Sequence, residues 1–559
     1  MFPHHLIHEI ILNEIPAQRN SALQTRIAHA LERIHADEIG FAAEIANHYQ
    51  QADMPLQAAR FWLKHAQESV DLAAFDSALE ATAHAESLLG NSSLDVQEVL
   101  AQAALQRGVI ALYQGQGESA LPLLDQAVLK ARPFPSLFAN ALSMQAYALY
   151  TQDKNEAAYR SAMQAFDLSM TLADIPNAVR ALNIQAVSAL MLGKTKEAVS
   201  DLQQALSLLE QHNITATEQT VQSLNHLGTA LVFAQEYAQA QETLERTVKL
   251  ANQGGLRRLE AAALTMLGQI ALNCGRYEQS IRIYDQAIQV AGESYLPGMW
   301  GKFAGRGWAY VRVGNLTAAK EDFERGLNIA RRVESSYGQL LMRIYLVYVA
   351  LAVGHASDSL QALEAEAATI NLHPVVLLTT NIQGQLWRLL GNLEKAEAAH
   401  ARALSAARSS NVPQFIQMIE LQELLNHVSL KTSVEDTFVK QEKIQSLYQS
   451  AIHSGETPLQ SVAQLVEAFR LFRKECFNES LSVAQQALTL ARSCPDQPLI
   501  GECLSLLLQL YEKLEKQTEA QACREELRSL AGSSFAPLWI ILKETPAEAV
   551  TENILNSLK

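Results

Sequence analysis

The sequence predicts an all-α solenoid of about twelve stacked helical hairpins, with a period close to 40 residues. Three observations lead there. First, chain breakers are scarce: 25 glycines and 15 prolines in 559 residues are too few for a turn-rich β fold, while a hydrophobic share of 48% excludes a disordered chain. Second, a pair of glycines seven residues apart recurs at Gly108/Gly115, Gly268/Gly275, Gly307/Gly314 and Gly384/Gly391, with near-copies at Ala186/Gly193 and Gly228/Gln235. Third, small residues follow at fixed offsets, at Ala120, Ala198, Ala240, Ser280, Ala319 and Ala396, and again at Ala127, Ala205, Thr247, Ala287, Gly326 and Ala403. Length alone, at roughly 100–200 residues per domain, suggests three to five domains; the repeat replaces that count with one.

The elements follow in chain order. Residues 1–57 read as a helical entry segment and 58–530 as the solenoid. Its turns fall near Phe75, Gly115, Lys154, Gly193, Gln235, Gly275, Gly314, Gly354, Gly391, Glu475 and Lys516, with a degenerate unit at about 392–474. Residues 531–559, with the apolar run Leu538–Leu542, read as a capping segment for the last hairpin. Within Leu264–Gln289, apolar residues recur at helical spacing through Leu267, Ile270 and Ala271, then through Ile281, Tyr284 and Ile288 after the turn. Glycine inside a helix costs about 1 kcal/mol relative to alanine, so the first glycine of each pair implies close approach of a neighbouring helix. The second glycine supplies the φ > 0 residue that ends the first helix.

This pattern resembles the tetratricopeptide repeat. Gly307-Trp308-Ala309-Tyr310 with Gly314-Asn315, Ala318-Ala319, Phe323 and Gly326-Leu327 is one clear copy. Gly384 with Leu390-Gly391-Asn392, Lys395-Ala396 and Ala403-Leu404 is another. The resemblance implies a right-handed superhelix. The period exceeds the usual ~34 residues, as in the helical sensor regions of large bacterial signalling ATPases.

The start of the chain is similar to something narrower. Phe2-Pro3-His4-His5-Leu6-Ile7-His8-Glu9, Gln18-Arg19, Ala43-Glu44-Ile45-Ala46-Asn47-His48-Tyr49 and Gln57-Ala58-Ala59-Arg60-Phe61-Trp62 resemble the junction in STAND regulators, the signal-transduction ATPases with numerous domains. There it leads from the ATPase and winged-helix modules into the repeat sensor. An ATPase needs GxxxxGK[ST] between a strand and a helix. The one near match, Ser188 to Gly193-Lys194-Thr195, starts on serine, and its Gly193 is a hairpin turn. The chain thus reads as a sensor arm without its motor.

Composition bounds the rest. A net charge of −15 argues against a nucleic-acid surface. Cys274, Cys476, Cys494, Cys503 and Cys523 form no CxxC pair, which points to a reducing cytoplasm and to no zinc or redox motif. Leu340–Val353 is apolar but holds Arg343 and is too short to span a bilayer, so no membrane segment is expected. Met1–Ile15 lacks the basic region of a signal peptide. His4 and His8 lie four apart but lack a third metal ligand. No catalytic motif occurs, so neither enzymatic activity nor a cofactor is expected.

The expected function is a non-catalytic protein- or peptide-binding scaffold, or sensor arm, in bacterial signal transduction or transcription regulation. The alternative is a small-molecule-sensing arm. In such a solenoid the first helix of each hairpin lines the groove, which selects Asn183, Asn225, Thr229, Phe233, Gln269, Asn273, Trp308, Arg312, Asn381 and Arg388 as contact candidates. Asparagine both donates and accepts, and arginine forks onto carboxylates, so the set suits an extended peptide. Thr265 and Ala304 stand where a chaperone-tail carboxylate clamp needs basic or amide groups, so that ligand is not expected. A STAND ATPase on another chain is one candidate partner.

Overall fold

The computed structural model describes residues 17–533, apart from 36–37, 73, 91–92, 115, 153, 215–216, 293–297, 334, 353–372, 390–391, 410–412 and 431–440. The turns expected at Gly115, Gly354 and Gly391, the His4/His8 pair and the Leu538–Leu542 cap lie outside the described residues. Every described regular element is an α-helix. The chain divides into two compact units, the first comprising Met1–Ala189 and Ser207–His212 and the second Leu190–Leu206 and Asn213–Lys559.

The first unit opens with α1 (Ala17–Ile34) and α2 (Ala42–Gln51), followed by the pairs α3 (Pro55–Asp71) and α4 (Phe75–Ser87), α5 (Leu94–Tyr113) and α6 (Gly117–Ala131), and α7 (Pro135–Thr151) and α8 (Asn155–Thr171), then α9 (Ile175–Met191). The entry segment shares a core with the first hairpin, through Ala28, Ile45, Tyr49 and Ala58. Helix α9, through Leu190 and Met191, and helix α10 (Thr195–Gln211) each carry residues of both units.

The second unit continues with α11 (Glu218–Phe233), α12 (Tyr237–Gln253), α13 (Arg257–Asn273), α14 (Tyr277–Ala291), α15 (Met299–Arg312), α16 (Leu316–Arg332), α17 (Ser336–Ala352), α18 (His373–Leu389) and α19 (Leu393–Ser409). Then come α20 (Pro413–Leu430), α21 (Gln441–Ser454), α22 (Thr457–Arg473), α23 (Phe477–Ser493), α24 (Gln497–Lys513) and α25 (Gln517–Ser533). Among the described residues, the stretch read as degenerate, 392–474, holds the four helices α19 to α22.

The first glycine of each repeat pair, Gly228 included, is a socket. A Cβ on Gly108 would lie 2.7 Å from Leu124, on Gly228 2.5 Å from Leu244, on Gly268 3.0 Å from Tyr284, on Gly307 2.5 Å from Phe323, and on Gly384 2.5 Å from His400. In every case the filling side chain comes 16 residues later, from the second helix of the same hairpin. All five knobs are buried to within 1% of their surface. The small residues at the other offsets let the two helices close to this distance. Ser280 adds a bond, donating from Oγ to the Gly268 carbonyl at 2.8 Å.

Turn conformation follows the expected φ > 0 rule, although glycine is not always its carrier. Gly193, Gly275 and Gly314 have φ of 73°, 79° and 82°, while Gln235 and Glu475 hold 62° and 60° with side chains. First helices of consecutive hairpins pack on one another along both units, as α3 on α5 and α11 on α13, whereas consecutive second helices make no comparable contact among the described residues. The first helices therefore lie on the inside of each unit's curvature.

Candidate functional site

The candidate residues are placed unequally along the first helices. Asn183 is buried in the first unit, on α9. The others belong to the second unit. Asn225 on α11 is 8% exposed and Asn381 on α18 is 2% exposed, and the Oδ1 of each lacks a hydrogen-bond partner. Thr229 turns back on its own helix, its hydroxyl donating to the Asn225 carbonyl at 2.9 Å. Phe233 is half-buried at the end of α11.

Gln269, Asn273, Trp308, Arg312 and Arg388 lead to a feature that the sequence reading did not anticipate. Gln269 Nε2 donates to Asn273 Oδ1 at 2.7 Å, and Asn273 Nδ2 donates to the Tyr237 hydroxyl at 3.1 Å. Tyr237 in turn donates to Glu456 at 2.9 Å, although the two are 219 residues apart. Gln235 and Ser454 donate to the other oxygen of Glu456 at 3.0 and 2.8 Å.

One repeat further on, the arrangement recurs with stronger chemistry. Tyr277 donates to Asp496 at 2.6 Å, again across 219 residues. Arg312 reaches both oxygens of Asp496, at 3.3 and 3.2 Å. Trp308 supports Arg312 from below: the guanidinium carbon is 5.3 Å from the indole centroid, and the indole stacks on Tyr345 at 4.9 Å. A third contact joins Arg388 to Glu502 as a fork of 2.8 and 3.0 Å.

These contacts form a seam inside the second unit. Tyr237 and Tyr277 are the first residues of α12 and α14; Glu456 and Asp496 immediately precede α22 and α24. Both tyrosines and both acids are thus one period apart, so two consecutive hairpins meet two later ones in register. Backbones approach closely here. A Cβ on Gly275 would lie 2.5 Å from Cys494 Cβ and 3.2 Å from Pro458 Cδ, so this turn needs glycine for its approach as well as for its φ.

The seam is dry. Asp496 is fully buried and also caps α24, accepting from the Leu499 N–H at 3.2 Å. Burial raises the Glu456 carboxyl above its usual range, opposed by the bonds from Ser454, Tyr237 and Gln235. Burial likewise raises the Tyr237 and Tyr277 phenols, and their neighbouring carboxylates add to it. The phenols therefore stay protonated and serve as fixed donors.

A second polar cluster lies between α18, α19 and α20. His400 fills the Gly384 socket. Its Nε2 is 3.1 Å from the Asn381 carbonyl and its Nδ1 2.6 Å from Asn426 Nδ2. A neutral ring with the proton on Nε2 satisfies both contacts. Burial, with Arg388 nearby, lowers its pKa to about 3. No cluster of three or more His, Cys, Asp or Glu among the described residues could hold a metal, and no described helix is long and apolar enough to cross a membrane.

Comparison with known proteins gives the family. The model of the MalT-like TPR region matches residues 177–495. The chain belongs to this family. The matched region contains the Tyr237–Glu456 contact and ends beside Asp496. No curated protein matches the chain. Among solved structures, a Rap protein complexed with competence and sporulation factor is 15% identical, with a TM-score of 0.49, over 64% of this chain and 99% of that one. A STAND protein with a tetratricopeptide-repeat sensor from Pyrococcus horikoshii is 15% identical, with a TM-score of 0.47, over 65% of this chain and 54% of that one. The quorum sensor NprR from B. thuringiensis, in its apo form, is 11% identical, with a TM-score of 0.43, over 67% and 99%.

Proposed function

We propose that the MalT-like TPR region works as a non-catalytic sensor arm in bacterial signal transduction or transcription regulation, holding a peptide or protein partner on its first-helix face in the cytoplasm. The observation that carries this reading is the family match over residues 177–495, a region whose first helices hold Asn225 and Asn381. A STAND ATPase on another chain fits as the downstream element, its on/off equilibrium biased by differential binding.

The test is affinity capture with the intact chain, followed by Asn225→Ala with Asn381→Ala. Both side chains are buried, so circular dichroism checks that the variant keeps its helices before capture is compared. Loss of the captured partner supports the reading; unchanged capture refutes it. Trp308→Ala is unsuitable here, because that ring packs against Tyr345 and Tyr348. A second reading, a small-molecule sensor, draws on the buried polar seam of the second unit. A saturable rise in melting temperature with one metabolite, and no peptide capture, favours it.

A further inference from the structure

The seam places three carboxylates of the last hairpins on a surface built from first helices and turns earlier in the same unit. Tyr237, Tyr277, Arg312 and Arg388 present phenol and guanidinium donors; Glu456, Asp496 and Glu502 satisfy them. Two of these donors, Arg312 and Arg388, are residues that sequence logic assigns to partner contact. We infer that the last hairpins are a built-in acidic ligand of this surface, and that an acidic peptide competes with them and opens the seam.

Three features support a latch over a simple core contact. Beside the apolar packing of Cys494 against Leu272, Tyr277 and Ala309, the seam carries specific polar contacts at Glu456, Asp496 and Glu502. Replacing a buried ion pair by well-packed apolar groups is often neutral or stabilising, so stability alone does not explain one here. The donors also come pre-positioned from their own side. Asn273 holds the Tyr237 hydroxyl, and Trp308 carries Arg312, so the surface keeps its geometry when the acids leave. Finally, Arg388 has an Nε with no hydrogen-bond partner and reaches Gln422 only at 3.5 Å, leaving donor capacity that Glu502 does not use.

The closed seam lowers the apparent affinity for any competing acid by the fraction of open molecules. This inference rests on the first-helix face being the partner surface, and its experiment separates the two claims. The intact chain carries Glu456→Gln, Asp496→Asn and Glu502→Gln together. Each change is isosteric, and asparagine at 496 keeps the cap of α24. Small-angle scattering and hydrogen exchange read the seam without any ligand. Fluorescein-labelled hexaglutamate, followed by anisotropy, reads the surface.

The expected result is unchanged helicity, a larger radius of gyration, faster exchange at the turns around Tyr237, Tyr277 and Asp496, and hexaglutamate binding at least about tenfold tighter than for the unaltered chain. Adding Arg312→Ala abolishes that gain. A variant that stays compact with unchanged exchange overturns the latch. A variant that opens but binds hexaglutamate no better overturns the acidic-ligand assignment, while capture through Asn225 and Asn381 stands or falls separately. Should the triple variant lose helicity, Asp496→Asn alone carries the same readouts.

Discussion

Helix α15 contains three glycines with different surroundings, and they allow the socket model to be tested on one helix. A Cβ at Gly307 would lie 2.5, 2.9 and 3.1 Å from three carbons of the Phe323 ring, whereas Gly301 has nothing within 4 Å. Carbon–carbon contacts settle near 3.5–4.0 Å, so the Gly307 methyl overlaps the ring by about 1 Å. Phe323 is fully buried and lies tilted against Tyr345 with centroids 4.9 Å apart, so the ring has little freedom to retreat. Overpacking of this kind costs about 1–3 kcal/mol, and the better helix propensity of alanine returns at most ~1. Gly307→Ala should therefore destabilise by about 1 kcal/mol, and Gly301→Ala should be neutral or stabilising by a few tenths. Urea unfolding followed by far-UV circular dichroism and by tryptophan fluorescence measures the gap, since Trp300 and Trp308 sit on the same helix. Adding Phe323→Leu to Gly307→Ala should cost less than the two single changes summed. Equal stability of the Gly301→Ala and Gly307→Ala variants would refute the socket argument.

Two other predictions follow from buried polar groups. His400 is held neutral by burial and by Arg388, opposed by the bond to the Asn381 carbonyl, with its pKa lowered to about 3. Below its ordinary value of 6.5 the unfolded chain takes up a proton that the folded chain refuses, so stability should fall by up to ~1.4 kcal/mol per pH unit between pH 6.5 and 3. His400→Leu, which restores the kind of knob seen at Leu124 and Leu244, should remove that increment from urea midpoints measured at pH 7, 6 and 5. An identical pH slope in the variant excludes His400 as its source. Cys503 is fully buried and its thiol is raised far above the ordinary range by desolvation. Iodoacetamide at neutral pH should modify Cys274 and Cys476 first, both partly accessible, and Cys503 only as the unit unfolds; early loss of the Cys503 peptide signal in mass spectrometry would contradict that placement.

The period was readable because it is local. Glycine needs no partner to announce itself, and the turns at Gly193, Gln235, Gly275, Gly314, Glu475 and Lys516 all separate the helices expected around them. The reason for the in-helix glycine was also readable, but its partner was not named. A large side chain stands 16 residues after it, as leucine, tyrosine, phenylalanine or histidine, and attention to small residues alone passed over that offset. The seam was out of reach for a different reason. It depends on the pitch of the second unit, the sum of many small rotations between hairpins, and no short-range pattern encodes that sum. Its trace in the sequence is faint: a tyrosine opening α12 and α14, and an acid before α22 and α24. Arg312 and Arg388 were selected for their type and place, and the structure sets them against Asp496 and Glu502.

The polar character of the seam bears on what it specifies. A slip by one hairpin would bring Tyr237 to Asp496, but it would leave Glu456 buried without Gln235 and move Arg312 off its acid. Leaving a buried charge without its partner costs about 3–5 kcal/mol, far more than the intact pair adds relative to an apolar contact. An apolar seam would lose little by the same slip, because leucine accepts leucine at any register. The Tyr237–Glu456 and Tyr277–Asp496 contacts therefore fix which hairpins meet more than how tightly they meet. A contact of that kind is selective when closed and cheap to exchange for another carboxylate, which is the property a self-occupied recognition surface requires.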